Sequence, residues 1–275
     1  MEIKLSNQHL IPPIGFGTYD RSGAAGIEAI LTALEVGYRH IDTAQTYGTE
    51  KECGEALQRS GLRRETVFVT TKISTDNFAE GALVPSLRRS LEALQLDQVD
   101  LTLIHWPSPN GQVPLPVYIE QLAEAHALGL TRLIGVSNFP ISHLIASQTI
   151  LGDLPIANNQ FEMNPYMQNK TLVSYCLHNN ISVTCYLPIA RGALAGDPVI
   201  EPIAAHHSAT VEQVALAFEM QKGLIAIPTS SRPERIRSNF EATRLTLSAN
   251  EMAAIETIDR GHRVIDPGWG PVWDR

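Results

Sequence analysis

Asp42, Tyr47, Lys72 and His105 are four side chains whose types could act together on a carbonyl group. Asp42 closes the stretch Tyr38-Arg39-His40-Ile41-Asp42, and Tyr47 follows on a short connection. Lys72 closes Val67-Phe68-Val69-Thr70-Thr71-Lys72, and His105 closes Val99–His105. A free phenol, with a pKa of about 10, is a poor acid at neutral pH. A nearby ammonium favours phenolate, so Lys72 is expected to lower the pKa of Tyr47 and make it a better proton donor. A lysine ending an apolar strand must reach water or find a partner, and Asp42 is the natural partner. A neutral His105 could give a second hydrogen bond to the same substrate oxygen. Two donors converging there polarise C=O and stabilise a developing alkoxide. No side chain supplies hydride, so reduction would require a nicotinamide cofactor. Taken singly, Asp42 reads equally as a turn or cap residue, Tyr47 as a loop anchor and His105 as a hydrogen-bonded core histidine. Their joint placement at successive strand ends is what points to a site.

Those strand ends belong to a regular alternation. Residues 3–11 read as a small hairpin, Ile3-Lys4-Leu5 returning through His9-Leu10-Ile11 before Pro12-Pro13. Ile14–Gly17 is a short strand. Its Gly15-x-Gly17 is not a dinucleotide fingerprint, because Asp20 stands where the third glycine would be. Helical spacing then covers Ala24–Val36, Glu50–Ser60, Ala79–Leu94, Val117–Leu128, Ile141–Ile150, Lys170–Asn179, Ile200–His206, Val211–Gln221, Pro233–Phe240 and Ala249–Ile258. Strands fall between them at Tyr38–Asp42, Val67–Lys72, Val99–His105, Leu133–Ser137, Ala157–Phe161, Ser182–Tyr186 and Leu224–Ile227. Short, nearly all-apolar strands alternating with helices predict a parallel sheet buried on both faces. Eight such units predict one α/β domain over residues 1–275, a (β/α)8 TIM barrel with an N-terminal hairpin and a C-terminal loop. A doubly wound open sheet is the competing architecture.

Composition narrows the partners. The 275 residues are 44% hydrophobic with a net charge of −8 and no Lys/Arg block, which argues against nucleic acid or an anionic membrane surface. Cys53, Cys176 and Cys185 show no C-x-x-C spacing, so neither a disulfide framework nor a zinc site is expected, and a reducing cytoplasm fits. The N-terminus lacks the apolar core of a signal peptide. His178, His206 and His207 read as solvated helix residues with no ligand spacing around them. A metal hydrolase would want a His-x-His pair on an early strand, and none is present.

Gly15-Phe16-Gly17-Thr18, His40-Ile41-Asp42-Thr43-Ala44, Tyr47-Gly48, Thr71-Lys72, Leu103-Ile104-His105-Trp106-Pro107, Gly135-Val136-Ser137-Asn138-Phe139 and Asn159-Gln160 occur together and in order. In these the chain resembles the aldo-keto reductases along nearly its whole length, and within them the bacterial 2,5-diketo-D-gluconate reductases of the B type. The resemblance implies an NADPH-dependent reductase of aldehydes and ketones, with a small carbonyl substrate such as 2,5-diketo-D-gluconate, methylglyoxal, a β-keto ester or an aromatic aldehyde. It implies Tyr47 as proton donor, Asp42 and Lys72 as its tuning pair and His105 as the carbonyl-orienting group. Ser137, Asn138 and Gln160 would hold the carboxamide and Tyr186 would stack on the nicotinamide. Leu187, Pro188, Ile189 and Ala190 would pass the pyrophosphate. Gly17, Thr18, Thr229, Ser230, Ser231, Arg232, Arg235 and Asn239 complete the implied cofactor bed.

Two positions depart from the family pattern. Thr229 stands where many members place a lysine after Ile-Pro, and Leu187 stands where a serine is common. Arg232 and Arg235 remain to take a 2′-phosphate, since guanidinium suits a pair of phosphate oxygens. Tyr19, Trp106, Trp269 and Trp273 could wall a substrate pocket of weak selectivity. The competing function is a cofactor-binding regulatory subunit on the same barrel with little turnover. The chain is expected to be monomeric.

Overall fold

The computed structural model describes residues 3–4 and 10–274. Strands β1 (Ile3–Lys4) and β2 (Leu10–Ile11) pair antiparallel, Ile3 opposite Ile11 and Lys4 opposite Leu10. The expected turn at Ser6-Asn7-Gln8 lies outside the described residues.

Eight further strands form one curled parallel sheet in strict chain order: β3 (Phe16–Gly17), β4 (His40–Asp42), β5 (Phe68–Ile73), β6 (Val99–Ile104), β7 (Thr131–Ser137), β8 (Asn158–Glu162), β9 (Ser182–Tyr186) and β10 (Ile225–Ala226). Backbone bonds also reach from one edge to the other. Gly15 N–H donates to Ala226 O (2.8 Å), and Ala226 N–H donates to Pro13 O (2.9 Å). The arrangement is consistent with the expected (β/α)8 barrel, and the strict strand order rules out the doubly wound alternative.

Helices α1 (Gly23–Val36), α2 (Glu50–Ser60), α3 (Leu83–Leu94), α4 (Leu115–Ala127), α5 (Ile141–Leu151), α6 (Lys170–His178), α7 (Ile200–His206), α8 (Val211–Gln221), α9 (Pro233–Glu241) and α10 (Ala249–Glu256) cover the convex side. Helix α2 stops where expected because Gly61 takes the left-handed backbone (φ 66°) that closes a helix. Helix α3 starts four residues later than its apolar spacing predicts. Gly81 sits in its proposed first turn at φ 71°, which no right-handed helix accommodates.

Alternation along the strands sorts the core into two layers. Val69, Ile73, Ile104, Ile134, Val136, Phe161, Val183 and Cys185 pack outward into the large cluster shared with the helices. Phe68, Leu101, Leu103, Leu133, Ala157 and Ile225 form a small inner cluster joined by Ile11 of β2. The next inward positions toward the C-terminal strand ends follow by twos. Phe68 leads to Thr70 and Lys72, Leu101 and Leu103 lead to His105, and Leu133 leads to Ser137. The inner face thus changes from apolar to polar along its length. Because all the strands are parallel, every polar end emerges at one mouth.

Candidate active site

At that mouth Lys72 is fully buried. Its Nζ meets Asp42 Oδ1 and donates to Thr43 O (2.8 Å) and Tyr47 Oη (3.3 Å). Burial opposes the ammonium, yet Asp42 and Tyr47 beside it hold its pKa above the ordinary lysine value. The four sequence candidates therefore meet: the His105 ring stands edge-on to Tyr47 with centroids 5.5 Å apart.

The expectation of a lowered phenol is corrected by the structure. Burial pushes the Tyr47 phenol up, Lys72 pulls it down, and Asp42 adds to the rise, so its pKa lies above the ordinary value. The rings of Tyr19 (5.2 Å, edge-on) and His105 replace water around it. Tyr47 is thus protonated at neutral pH. Burial, with Lys72 adding to it, lowers His105 to about 3, so its imidazole is neutral as expected. Thr46 Oγ1 lies 3.1 Å from His105 Nδ1. When the hydroxyl donates, the ring proton resides on Nε2, the nitrogen left to face a ligand.

Tyr47, His105, Asp42, Tyr19 and Trp106 line a cavity of about 410 Å³, together with Gly17, Ser137, Asn138, Gln160, Tyr186, Leu187 and Thr229. That volume suits a small ligand with part of a cofactor. The polar members are wired together. Gln160 Nε2 donates to Asp42 Oδ2 (2.7 Å), Ser137 Oγ to Gln160 O (2.8 Å), and Tyr186 Oη to Asn138 Oδ1 (2.8 Å). Thr18 lies behind this wall, its hydroxyl on Asp42 O and Thr49 Oγ1. Leu187 and Ala190 hold left-handed backbone (φ 52° and 46°), which bends the connection after β9 across the mouth, with Pro188 and Ile189 between them. A larger cavity of about 640 Å³ is lined by Pro12, Pro13, Met220 and Phe240, and among the described residues its only titratable one is Arg39. It offers no acid–base chemistry.

The implied cofactor bed continues onto α9. Arg232 and Arg235 are exposed, and their guanidinium groups make no ion pair among the described residues. Asn239 is buried, and its side chain has no hydrogen bond among the described residues. Arg235 and Asn239 are four apart on α9 and share a face. An adenosine phosphate would find two uncommitted cations and an uncommitted amide there. Ser230 Oγ accepts from Arg232 N (3.1 Å), while Ser231 is exposed.

The tail packs beside the cavity. Trp269 and Trp273 do not line the 410 Å³ cavity; they stand edge-on against Trp106, at 5.3 and 6.2 Å between centroids. They back the wall instead of forming it. Three residues escaped sequence reasoning: Thr46, Ile265 and Glu162. Ile265 lines the cavity, and the fully buried Glu162 at the end of β8 holds it there. Glu162 accepts from Val264 N (2.8 Å to Oε1) and Ile265 N (2.8 Å to Oε2). Partners about a hundred positions apart leave no local signal.

His206 is exposed at the end of α7, as expected, whereas His207, at the C-cap of α7, is half-buried. Glu251 Oε1 lies 3.1 Å from His206 Nδ1 and 2.9 Å from His207 Nε2, so the rings have a carboxylate partner. Glu251 Oε2 accepts from Ser248 N (2.7 Å) in the capping box of α10. Hydrogen bonds account for the whole cluster.

The family model described as "Aldo/keto reductase family" matches residues 13–260. The chain belongs to the aldo/keto reductase family. It is 44% identical over 265 residues to methylglyoxal reductase DkgB of Yersinia pestis, covering 96% of this chain and 99% of that one. The same-named protein of Escherichia coli O157:H7 is 43% identical over 265 residues, with the same coverage. A solved structure assigned provisionally as a 2,5-diketo-D-gluconic acid reductase B superposes with a TM-score of 0.94 at 37% identity, over 100% of this chain and 98% of that one. The aldose reductase of Schistosoma japonicum gives 0.91 at 32% identity, over 96% and 94%. This aldo/keto reductase is accordingly an oxidoreductase of the carbonyl-reducing kind, similar to the diketogluconate reductases of the B type. Among the described residues, no helix is long and apolar enough to cross a membrane.

Proposed function

We propose that this aldo/keto reductase reduces small aldehydes and ketones with NADPH, on one closed (β/α)8 barrel domain acting as a cytoplasmic monomer. The observation that carries the reading is the buried chain Asp42–Lys72–Tyr47, which ends in a phenol at the wall of a small-ligand cavity. The relatives named methylglyoxal reductase make methylglyoxal the first candidate substrate, with 2,5-diketo-D-gluconate, β-keto esters and aromatic aldehydes beside it.

Tyr47 Oη and His105 Nε2 both donate to the substrate carbonyl oxygen and fix its position. NADPH, when bound, supplies the hydride. Ser137, Asn138 and Gln160 would hold its carboxamide, Tyr186 would support the ring, and Arg232, Arg235 and Asn239 would hold the adenosine phosphate end. As negative charge grows on the carbonyl oxygen, the Tyr47 proton moves to it. The ammonium of Lys72, 3.3 Å from the phenol oxygen, stabilises the phenolate left behind. The Tyr47 pKa, raised in the free site, keeps the proton in place until that moment. Neutral His105 donates without itself giving up a proton. The aromatic walls exclude water and select weakly among carbonyl compounds.

Initial rates of NADPH oxidation with methylglyoxal, an aromatic aldehyde, a β-keto ester and 2,5-diketo-D-gluconate test the proposal. Turnover of at least one is expected. NADPH binding with no turnover of any would overturn it in favour of a regulatory protein.

A further inference from the structure

Gln45 opens the single 3-10 turn Gln45–Tyr47 that carries the phenol. Its amide uses all of its hydrogen-bonding positions. Oε1 accepts from Ser74 N (2.8 Å) and Asn77 Nδ2 (2.9 Å). Nε2 donates to Ser86 Oγ and Ser90 Oγ, both at 3.1 Å. The amide's orientation follows from its neighbours. A backbone N–H can only donate, so the oxygen must face Ser74. The Ser86 hydroxyl donates to Leu83 O (2.7 Å) and the Ser90 hydroxyl to Ser86 O (3.4 Å), which leaves their lone pairs to Nε2.

The partners are the informative part. Ser74 directly follows β5, two residues beyond Lys72. Ser86 and Ser90 lie on α3, behind the strand, and both are buried. One amide therefore ties the turn bearing the phenol to the strand end bearing the ammonium and to the helix that backs it. The other backbone bonds of the turn, Tyr47 N–H to Ala44 O (3.1 Å) and Gly48 N–H to Gln45 O (3.4 Å), shape it internally and do not reach β5.

Resting on the proposed reductase function, we infer that Gln45 is a positioning residue: its amide sets the separation of Tyr47 from Lys72 at which the ammonium can stabilise the phenolate. Gln45 does not line the cavity and touches neither substrate nor reacting atoms. Its loss should act on proton transfer and spare cofactor binding.

The test compares Gln45→Leu with wild type in methylglyoxal reduction. A misplacement of about 1 Å can cost on the order of 100-fold, so kcat should fall about 10- to 100-fold. NADPH affinity by calorimetry should be unchanged. The falling alkaline limb of the kcat profile should move to higher pH, because a phenol less well served by an ammonium holds its proton more tightly. The pair Ser86→Ala with Ser90→Ala removes half of the amide's bonds from the far side and should move kcat and the limb in the same direction by less. It carries the test if Gln45→Leu does not fold. A lower kcat with an unmoved limb would reduce Gln45 to a structural role and overturn the inference. So would unchanged kinetics in both variants beside an active wild type. A wild type inactive on every carbonyl would instead sink the functional reading on which the inference stands.

Discussion

Gln160 Nε2 donates to Asp42 Oδ2, the carboxylate oxygen that Lys72 does not use. Strands β4 and β8, 118 positions apart at these residues, are thereby joined across the mouth. Both oxygens of Asp42 are committed, one to the buried ammonium and one to a residue assigned to the cofactor. Asp42→Asn would leave Lys72 buried without a counter-charge. Breaking such a pair costs about 3–5 kcal/mol. Chemical denaturation should show a loss of that order, with a fall in kcat. A loss under about 1 kcal/mol, the worth of an exposed pair, would mean that Lys72 is not held as described.

Tyr47→Phe removes the proton donor and leaves the cofactor residues alone. Reduction should fall by about 100- to 10,000-fold with NADPH affinity near native. An unchanged kcat would end the proton-donor assignment. Lys72→Met should lower the rate and also move the pH profile.

Two histidines make stability depend on pH. Burial lowers His105 to about 3 and, outweighing the opposing pull of the Asp42 carboxylate, lowers His40 to about 4. The unfolded chain protonates these rings near the ordinary value of about 6.5, and the folded chain resists. Between those limits the unfolded state binds more protons, so stability falls as the pH drops through the window from about 6.5 toward 4. Each ring should contribute roughly 2 kcal/mol of loss by about pH 5. Denaturation curves at stepped pH should show His105→Gln with a shallower decline than wild type. Proton NMR should show the His105 ring untitrated above about pH 5.

Cofactor preference turns on α9. Arg232 and Arg235 are uncommitted, while Thr229 contributes no charge. NADPH should be preferred over NADH, but less strongly than in relatives that carry a lysine in place of Thr229. Equal kcat/KM for the two cofactors would refute this. Arg232→Ala with Arg235→Ala should raise KM for NADPH about 10-fold, one charge-assisted pair being worth roughly 1.5–3 kcal/mol at most, and leave KM for NADH unchanged.

Glu162 anchors the tail by accepting from consecutive backbone N–H groups at Val264 and Ile265. Glu162→Gln replaces an accepting oxygen by a donor facing donors. The cavity wall at Ile265 should loosen. KM for an aromatic aldehyde should rise more than KM for methylglyoxal, with kcat nearly kept, and proteolysis after Arg260 or Arg263 should quicken. Equal KM changes for both substrates would exclude selective control by the tail.

The meeting of Asp42, Tyr47, Lys72 and His105 and most element positions were legible because they depend on local patterning. The inward alternation of β5 and β6 carries Lys72 and His105 to the mouth whatever the rest of the chain does. The bounds of α2, α7, α8 and β9 matched because glycine, strong helical spacing or β-branched runs mark them. What remained hidden depends on pairs far apart in sequence. Gln45 with Ser86, Glu162 with Ile265 and His207 with Glu251 meet only after the barrel has formed. The direction of the Tyr47 pKa was misread for a related reason. The ammonium is evident in the sequence, but the removal of water by Tyr19 and His105 is not.

The chain has three tryptophans, and all three stand in the Trp106–Trp269–Trp273 cluster beside the mouth. Its intrinsic ultraviolet emission is therefore a built-in optical gauge of this one region. A spectral change on adding a ligand, or on replacing Glu162, reports whether the tail is seated, without any attached dye.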